Sequence, residues 1–175
     1  MSPAPSPGQL FLAEGQTRLT AWFDKIKHCV EQLTDEQLWW RPAEDMNSIA
    51  NIILHLCGNV EQWIINGVTQ RPDTRNRPQE FAERGPMPKT ELLKRLELTV
   101  AQVQEILKST TDQQLTEPRR IQGFDETVLS AIFHSLAHFN GHTQEIIYAT
   151  RLQLGDRYRF YWVPDTPEQG ADLSR

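Results

Sequence analysis

Hydrophobic residues recur along most of the chain at steps of three and four, the spacing of one face of an α-helix. This spacing predicts four helices, over about residues 9–33, 48–67, 89–109 and 126–154. The second helix is the clearest, because its apolar side chains occupy an arc of about 120°: Ile49, Ile52, Ile53, Leu56, Val60, Trp63 and Ile64. No alternation typical of β-strands competes with these helices, so the sequence predicts an all-α fold, a four-helix bundle.

The segments between and beyond the helices predict the domain organisation. Residues 1–8 are rich in proline and are expected to be a disordered tail, which leaves one bundle domain over residues 9–154. Residues 69–88 lack periodicity and predict one long crossover connection, and residues 118–125 predict a second loop. Residues 155–175 contain an aromatic cluster, which we expect to dock on the bundle or at a dimer interface.

Composition and charge exclude several classes of function. The 175 residues carry 18 lysines and arginines against 23 aspartates and glutamates, a net charge of −5. An acidic chain without a basic cluster disfavours nucleic acid as a partner. The sequence shows no apolar run long enough for a membrane span and no secretory signal. Its two cysteines, Cys29 and Cys57, form no disulfide framework, so we expect a reduced, cytoplasmic protein.

Histidines provide the strongest chemical signal in the sequence. His134, His138 and His142 stand at four-residue steps in the fourth predicted helix, and His55 lies on a polar strip of the second. Residues four apart on a helix are neighbours on its surface, so two imidazoles of such a ladder can bind one cation. If the second and fourth helices are adjacent, His55 supplies a third ligand and leaves an open coordination position, as in catalytic metal sites. Solvated or hydrogen-bonded structural histidines are the alternative.

Two further residues are candidates for roles beside such a site. Asn59 lies one turn after His55 and is positioned to contact a water at the metal, although amides are also common on helix surfaces. Glu145 falls between His134 and His138 on the helical wheel. It is a candidate base or hydrogen-bond acceptor, with a solvated acidic residue as the alternative.

The sequence resembles the DinB-like superfamily, including its YfiT-type and thiol-transferase-related bundles. The resemblance is carried by Trp40-Arg41-Pro42, by the segment Ser48 to Leu56, and by the histidine ladder followed by Ile146 and Arg151. These motifs span about residues 9–154. The resemblance implies a bundle with one long crossover, often a homodimer, in which His55, His138 and His142 bind a divalent metal. It places His134 beside the site.

One position departs from the family pattern. Many relatives continue the last histidine as His-x-Gly-Gln, whereas this chain reads His142-Thr143-Gln144-Glu145 and so places a carboxylate where glutamine is usual.

The family resemblance also implies a function. The metal, expected to be zinc, with nickel or iron as alternatives, would activate a thiol or water in a metal-dependent thiol S-transferase or hydrolase. A low-molecular-weight thiol resembling bacillithiol or mycothiol would be the second cofactor, and a small electrophile the acceptor. Five arginines are candidates for holding a carboxylate of that thiol, with a role in surface solubility as the favoured alternative for each: Arg41, Arg71, Arg75, Arg77 and Arg151. The alternative is a non-catalytic, dimeric metal-binding stress or interaction protein.

Overall fold

The four predicted helical segments appear as four long helices in a computed structural model, which describes residues 4–162. They are α1 (Pro7–Glu31), α3 (Ile49–Val60), α5 (Lys89–Ser109) and α7 (Val128–Leu154). A π-helix continues α3 over Glu61–Val68, and the single turns of α2 (Asp35–Trp39) and α6 (Asp112–Leu115) lie in connections. The predicted all-α fold class is therefore confirmed.

Hydroxyl side chains fix where three of the long helices begin. The side chains of Ser6, Ser48 and Thr127 each accept a hydrogen bond from the backbone N–H of the third helical residue. The side chain of that third residue in turn accepts from the backbone N–H of the cap residue. Such a capping box satisfies backbone donors that the helix leaves free, and it is worth about 1 kcal/mol. Because Ser6 caps α1, Pro7 and Gly8 are helical. The tail expected over residues 1–8 therefore includes two residues that belong to α1.

Helices α1 and α3 each pack against both α5 and α7. The bundle interior between them is apolar, and side chains from all four helices are less than 2% exposed, including Leu19, Ile53, Leu96 and Phe139. Burying one such side chain contributes roughly 1.5–3 kcal/mol. This packing places α3 beside α7, the adjacency that a shared histidine site requires.

The crossover between α3 and α5 is more structured than the sequence indicated. Residues 77–82 form a helix, α4 (Arg77–Ala82), which Asn76 caps by accepting from Gln79 N and which packs against α3. Two bonds fasten its C-terminal half, since the Asn51 side chain donates to Glu80 O and Glu83 O at 2.8 and 3.0 Å. The crossover therefore lies on the bundle with a fixed register.

Residues 118–127 form a β-hairpin, so the prediction of a loop without strand structure over residues 118–125 was wrong. Strands β1 (Pro118–Ile121) and β2 (Phe124–Thr127) pair antiparallel, with Ile121 opposite Phe124. Gln122 and Gly123 form the turn with φ of 51° and 84°, the left-handed conformations that suit the twist of a tight hairpin. Each strand has only four residues, too short to show alternation.

The chain leaves α7 through a 3₁₀ turn (Gly155–Arg157) and returns to α1. Arg159 O lies 2.6 Å from His28 Nε2 and accepts from Gln32 Nε2 at 3.2 Å, and Arg159 N donates to Gln32 Oε1 at 2.7 Å. The remainder of the expected aromatic tail, residues 163–175, lies outside the described residues. Within residues 4–162, no helix combines the length and the apolar character needed to cross a membrane.

Candidate metal centre

Three histidines converge between α3 and α7. One ligand nitrogen of each of His55, His138 and His142 can be chosen so that all lie within 4.8 Å of one another. Of these atoms, His55 Nε2 and His138 Nε2 lie 2.9 Å apart. Two imidazole nitrogens that bind one tetrahedral zinc ion at ~2.0–2.1 Å are ~3.3 Å apart. Movement of a few tenths of an ångström therefore fits this pair to a metal ion.

Carboxylates orient two of the three imidazoles. His55 Nδ1 lies 2.9 Å from Glu80 Oε2, and His142 Nδ1 lies 2.7 Å from Glu145 Oε2. Because an ionised carboxylate only accepts, each Nδ1 carries the hydrogen, and the Nε2 of a neutral ring keeps its lone pair for a metal. This carboxylate–histidine arrangement is typical of metal ligands.

Glu80 is itself held by Arg75. Arg75 donates from Nε to Oε1 at 2.7 Å and from Nη2 to Oε2 at 2.8 Å, and its side chain is only 3% exposed. Arg75 Nη2 also lies 3.0 Å from His55 Nδ1, but since that nitrogen carries a hydrogen, Glu80 is the acceptor for both groups. The arginine therefore fixes the carboxylate that orients His55.

The electrostatics of the cluster favour a neutral imidazole at His138 and ionised carboxylates at Glu80 and Glu145. Burial, followed by the neighbouring His142 and His55, lowers the pKa of His138 to about 4. Burial raises the pKa of Glu80, but hydrogen bonds from Arg75 and His55 outweigh it and leave the pKa below its ordinary value. The hydrogen bond from His142 lowers the pKa of Glu145. Neutral imidazole is the form that binds metals.

His134 and Asn59 lie beside this cluster and have other partners. The His134 ring stacks on Trp63, with ring centres 4.0 Å apart and planes inclined by 27°. Asn59 is buried, and its Oδ1 accepts from Ser135 Oγ at 3.2 Å. The structure therefore gives Asn59 a bond between α3 and α7, and among the described residues its side chain makes no hydrogen bond to the three histidines.

The cysteines and arginines singled out in the sequence lie in different surroundings. Cys57 and Cys29 are buried free thiols, and burial raises the pKa of Cys57 to about 11, which keeps it protonated. Arg41 donates to Asn51 Oδ1 at 2.6 Å and supports the start of α3, and Arg75 contacts the site through Glu80. The other three candidate arginines make no hydrogen bond to the histidines among residues 4–162: Arg71, Arg77 and Arg151.

Sequence reasoning missed Glu80. This residue lies in the crossover, where the sequence has no periodicity to assign it a direction. Glu80 follows Arg75 by five residues, and outside a helix this spacing does not indicate that the two side chains pair. Glu80 reaches His55 because α4 is anchored on α3.

Comparison with known proteins gives a family and a fold. The sequence profile of the family described as "Protein of unknown function (DUF1572)" matches residues 6–166. Searching the curated proteins found no match. Among solved structures, a conserved protein from Enterococcus faecalis is similar at a TM-score of 0.71 and 16% identity, covering 87% of this chain and 99% of that one.

Two DinB-like proteins are also similar in structure. The one from Bacillus cereus has a TM-score of 0.62 at 16% identity and covers 77% of this chain and 87% of its own. YjoA from Bacillus subtilis has a TM-score of 0.64 at 14% identity and covers 85% and 96%. Identities this low show the fold alone, and they confirm the DinB-like architecture that the resemblance implied. The chain belongs to the DUF1572 family and has a DinB-like four-helix fold.

Proposed function

We propose that this protein is a metal-dependent thiol S-transferase or hydrolase that holds one divalent cation at His55, His138 and His142. The observation that carries the proposal is the convergence of three imidazole nitrogens within 4.8 Å between two helices. Imidazole suits zinc, nickel and iron, and we place zinc first. Three protein ligands leave a coordination position for a reactant, as in catalytic rather than structural sites.

The bound cation would supply the activating chemistry by lowering the pKa of a water or thiol that it coordinates. The chain's own residues orient the ligands: Glu80 and Glu145 hold the Nδ1 hydrogens of His55 and His142. Because its hydrogen bond with His142 lowers the pKa of Glu145, this carboxylate is a weak base, and we assign it an orienting role.

Access to the site supports a reactive centre. The His55 side chain is 7% exposed, whereas that of His142 is 23% exposed. Phe81 covers the His55 ring at a centre-to-centre distance of 4.8 Å. The more exposed edge of the site is therefore at His142 on α7, while Phe81 of the crossover covers His55 on α3.

The test measures product formation by zinc-loaded protein. In one arm, a chlorodinitrobenzene and a panel of low-molecular-weight thiols should yield a thioether, with a new sulfur–carbon bond and release of chloride and a proton. In the other arm, nitrophenyl acetate and water should yield nitrophenol and acetate. We expect turnover in one arm, lost in His138→Ala and retained in His134→Ala, which removes a histidine of the same helix that stacks on Trp63.

Zinc-loaded protein that accelerates neither reaction, or that does so equally in His138→Ala, would contradict the enzymatic proposal. If the protein still bound zinc, the result would favour the non-catalytic metal-binding protein, because ligand binding and turnover are measured separately.

A further inference from the structure

A cavity lies away from the histidines, between the C-terminal end of the π-helix and the β-hairpin. It encloses about 350 Å³, a size that accepts a small molecule. We call it the hairpin pocket, and its lining includes Asn66 and Arg71 on one side and Arg119 and Arg120 on the other. None of the three histidines of the metal centre lines it.

Arginines outnumber acidic residues in the lining of the pocket, although the chain as a whole is acidic. Its lining carries three arginines, Arg71, Arg119 and Arg120, against one acidic residue, Asp73, whereas the whole chain has a net charge of −5. The carboxylate of Asp73 is already engaged, because Oδ2 accepts from Gln62 Nε2 at 2.5 Å and Oδ1 accepts from the Arg75 backbone at 3.0 Å. Asp73 keeps its negative charge, but within residues 4–162 neither of its oxygens pairs with Arg71, so the Arg71 guanidinium is not taken up by this carboxylate.

The three guanidinium groups differ in how far they are already paired. Arg119 donates to Glu117 Oε2 at 2.7 Å and to Val68 O at 3.0 Å, which makes it part of the wall. Arg120 has an exposed ion pair with Asp125 at 2.7 Å. Arg71 forms no side-chain hydrogen bond or ion pair with any other residue in the range 4–162. Arg71 can therefore bind a ligand without breaking an existing hydrogen bond or ion pair among these residues.

Asn66 provides an independent sign that the pocket binds a polar group. Its residue is only 8% exposed, and it lines the cavity. Within the described part of the chain, its side-chain amide makes no hydrogen bond to protein. Buried polar side chains are nearly always hydrogen-bonded, since leaving one unpaired costs free energy. A ligand oxygen in the cavity would satisfy the amide donor.

Close packing holds the two walls of the pocket, the π-helix and the β-hairpin, against each other. A Cβ atom added to Gly67 would meet Ile121 Cδ1 at 2.5 Å, so the hairpin lies directly on the π-helix at a residue without a side chain. At the rim, the Gln122 side chain donates to Gln62 Oε1. These contacts make the pocket a preformed feature of the fold.

We infer that the hairpin pocket binds a small anionic molecule, whose carboxylate or phosphate group is held by Arg71 while Asn66 donates to one of its oxygens. Guanidinium groups pair with carboxylates and phosphates through parallel hydrogen bonds, and a buried amide adds geometric selectivity. The inference does not depend on metal binding or on the proposed enzymatic activity, because it uses different residues in a different part of the fold.

The test is a titration of the isotope-labelled full chain with inorganic phosphate and, separately, with succinate, followed by amide resonances. We expect saturable shifts at Gly67, Gln70 and Gln122, which line the pocket, with at least one of the two probes. The probe that binds more tightly distinguishes a phosphate from a carboxylate ligand. Arg71→Gln should raise the Kd about tenfold or more, since it removes a charge-assisted hydrogen bond.

Two variants make the test decisive. Arg157→Gln removes an exposed arginine outside the pocket and should leave the Kd unchanged. Asn66→Asp keeps the side-chain shape but adds a negative charge, and it should weaken binding. The inference is overturned if neither probe produces saturable shifts at the pocket, or if Arg71→Gln and Arg157→Gln bind equally. Arg71 is exposed, so its replacement leaves folding intact and keeps the result interpretable.

Discussion

At the residue scale, the candidate site is set by carboxylates that orient imidazoles. Glu80 and Glu145 accept hydrogen bonds from His55 and His142, and each leaves an Nε2 lone pair for a cation. Their positions relative to the ladder differ: Glu145 lies on the same helix as its histidine, whereas Glu80 comes from the crossover. The two sides of the site therefore depend on different parts of the fold.

Replacing Glu80 should weaken metal binding without removing a ligand. Glu80→Gln keeps an oxygen acceptor but loses the negative charge, and we expect zinc affinity to fall about 10–100-fold, the usual effect of losing an orienting partner. Calorimetric titration with zinc measures it. Glu97→Gln removes an exposed carboxylate from α5 and should leave the affinity unchanged. Equal affinity in Glu80→Gln and the parent would show that the carboxylate does not orient His55.

The pKa of His138 predicts how the metal-free protein responds to acid. Burial and neighbouring imidazoles lower this pKa from 6.5 in the unfolded chain to about 4. The unfolded chain therefore takes up the proton first, so the stability associated with neutral His138 is present above pH 6.5 and is lost as the pH falls toward 4. Urea unfolding with a chelator present should show this loss in the parent and a smaller one in His138→Gln. The same pH dependence in both would contradict the assignment.

At the element scale, a short helix and a hairpin position the two candidate sites. Helix α4 brings Glu80 to the histidines, and the hairpin closes the pocket over the end of the π-helix. Neither element was predicted from the sequence. Both are held by contacts distant in the sequence, such as those of Asn51 with α4 and of Ile121 with Gly67.

Asn51 is the residue that fastens α4 to α3. It is fully buried, donates to Glu80 O and Glu83 O, and accepts from Arg41 Nη2 at 2.6 Å. Asn51→Ala removes these three hydrogen bonds from a buried junction, although Arg41 still donates to Glu83 O, and it should destabilise the protein by roughly 2–4 kcal/mol. Chemical unfolding measures the loss. Asn140→Ala, on the surface side of α7, is the control and should change stability by less than ~0.5 kcal/mol. An Asn51→Ala variant as stable as this control would contradict the anchoring role.

Two helical glycines should respond in opposite ways to alanine. At Gly67, a Cβ would meet Ile121 Cδ1 at 2.5 Å and Gln62 O at 2.9 Å, so Gly67→Ala should destabilise by about 1–3 kcal/mol. At Gly141 in α7, a Cβ meets nothing within 4 Å among the described residues. Gly141→Ala should therefore be neutral or stabilising, by up to ~1 kcal/mol. Thermal unfolding of both variants compares them, and a stabilised Gly67→Ala would show that the hairpin does not pack there.

At the scale of the whole molecule, the sequence pattern predicted the bundle and the histidine ladder, and the family resemblance implied which histidines share a site. Neither predicted the residues that surround them. Periodicity over twenty or more residues specifies a helix and its buried face, as in α5 and α7. A four-residue ladder such as His138 and His142 specifies one side of a helix. Both signals can be recognised in the sequence alone, because they depend on residues close together in the chain and not on which elements pack beside them.

The missed features depend on tertiary contacts. The Arg75–Glu80 pair lies in a connection whose path is set by bonds to α3, and no spacing within residues 69–88 indicates that path. The hairpin has a Gln-Gly turn and one buried strand residue, Ile121, so its pattern resembles an ordinary loop. The amide of Asn66, which has no hydrogen-bond partner within residues 4–162, becomes significant only when its burial is known.

The central claim is that His55, His138 and His142 bind one divalent ion. The most direct measurement is a zinc titration of the metal-free protein, with metal content determined after removal of excess zinc, on the parent, His138→Ala and His134→Ala. We predict about one zinc ion per chain in the parent and in His134→Ala, and loss of binding in His138→Ala, because two imidazoles hold the ion far more weakly than three. Equal zinc content in the parent and His138→Ala would contradict the claim.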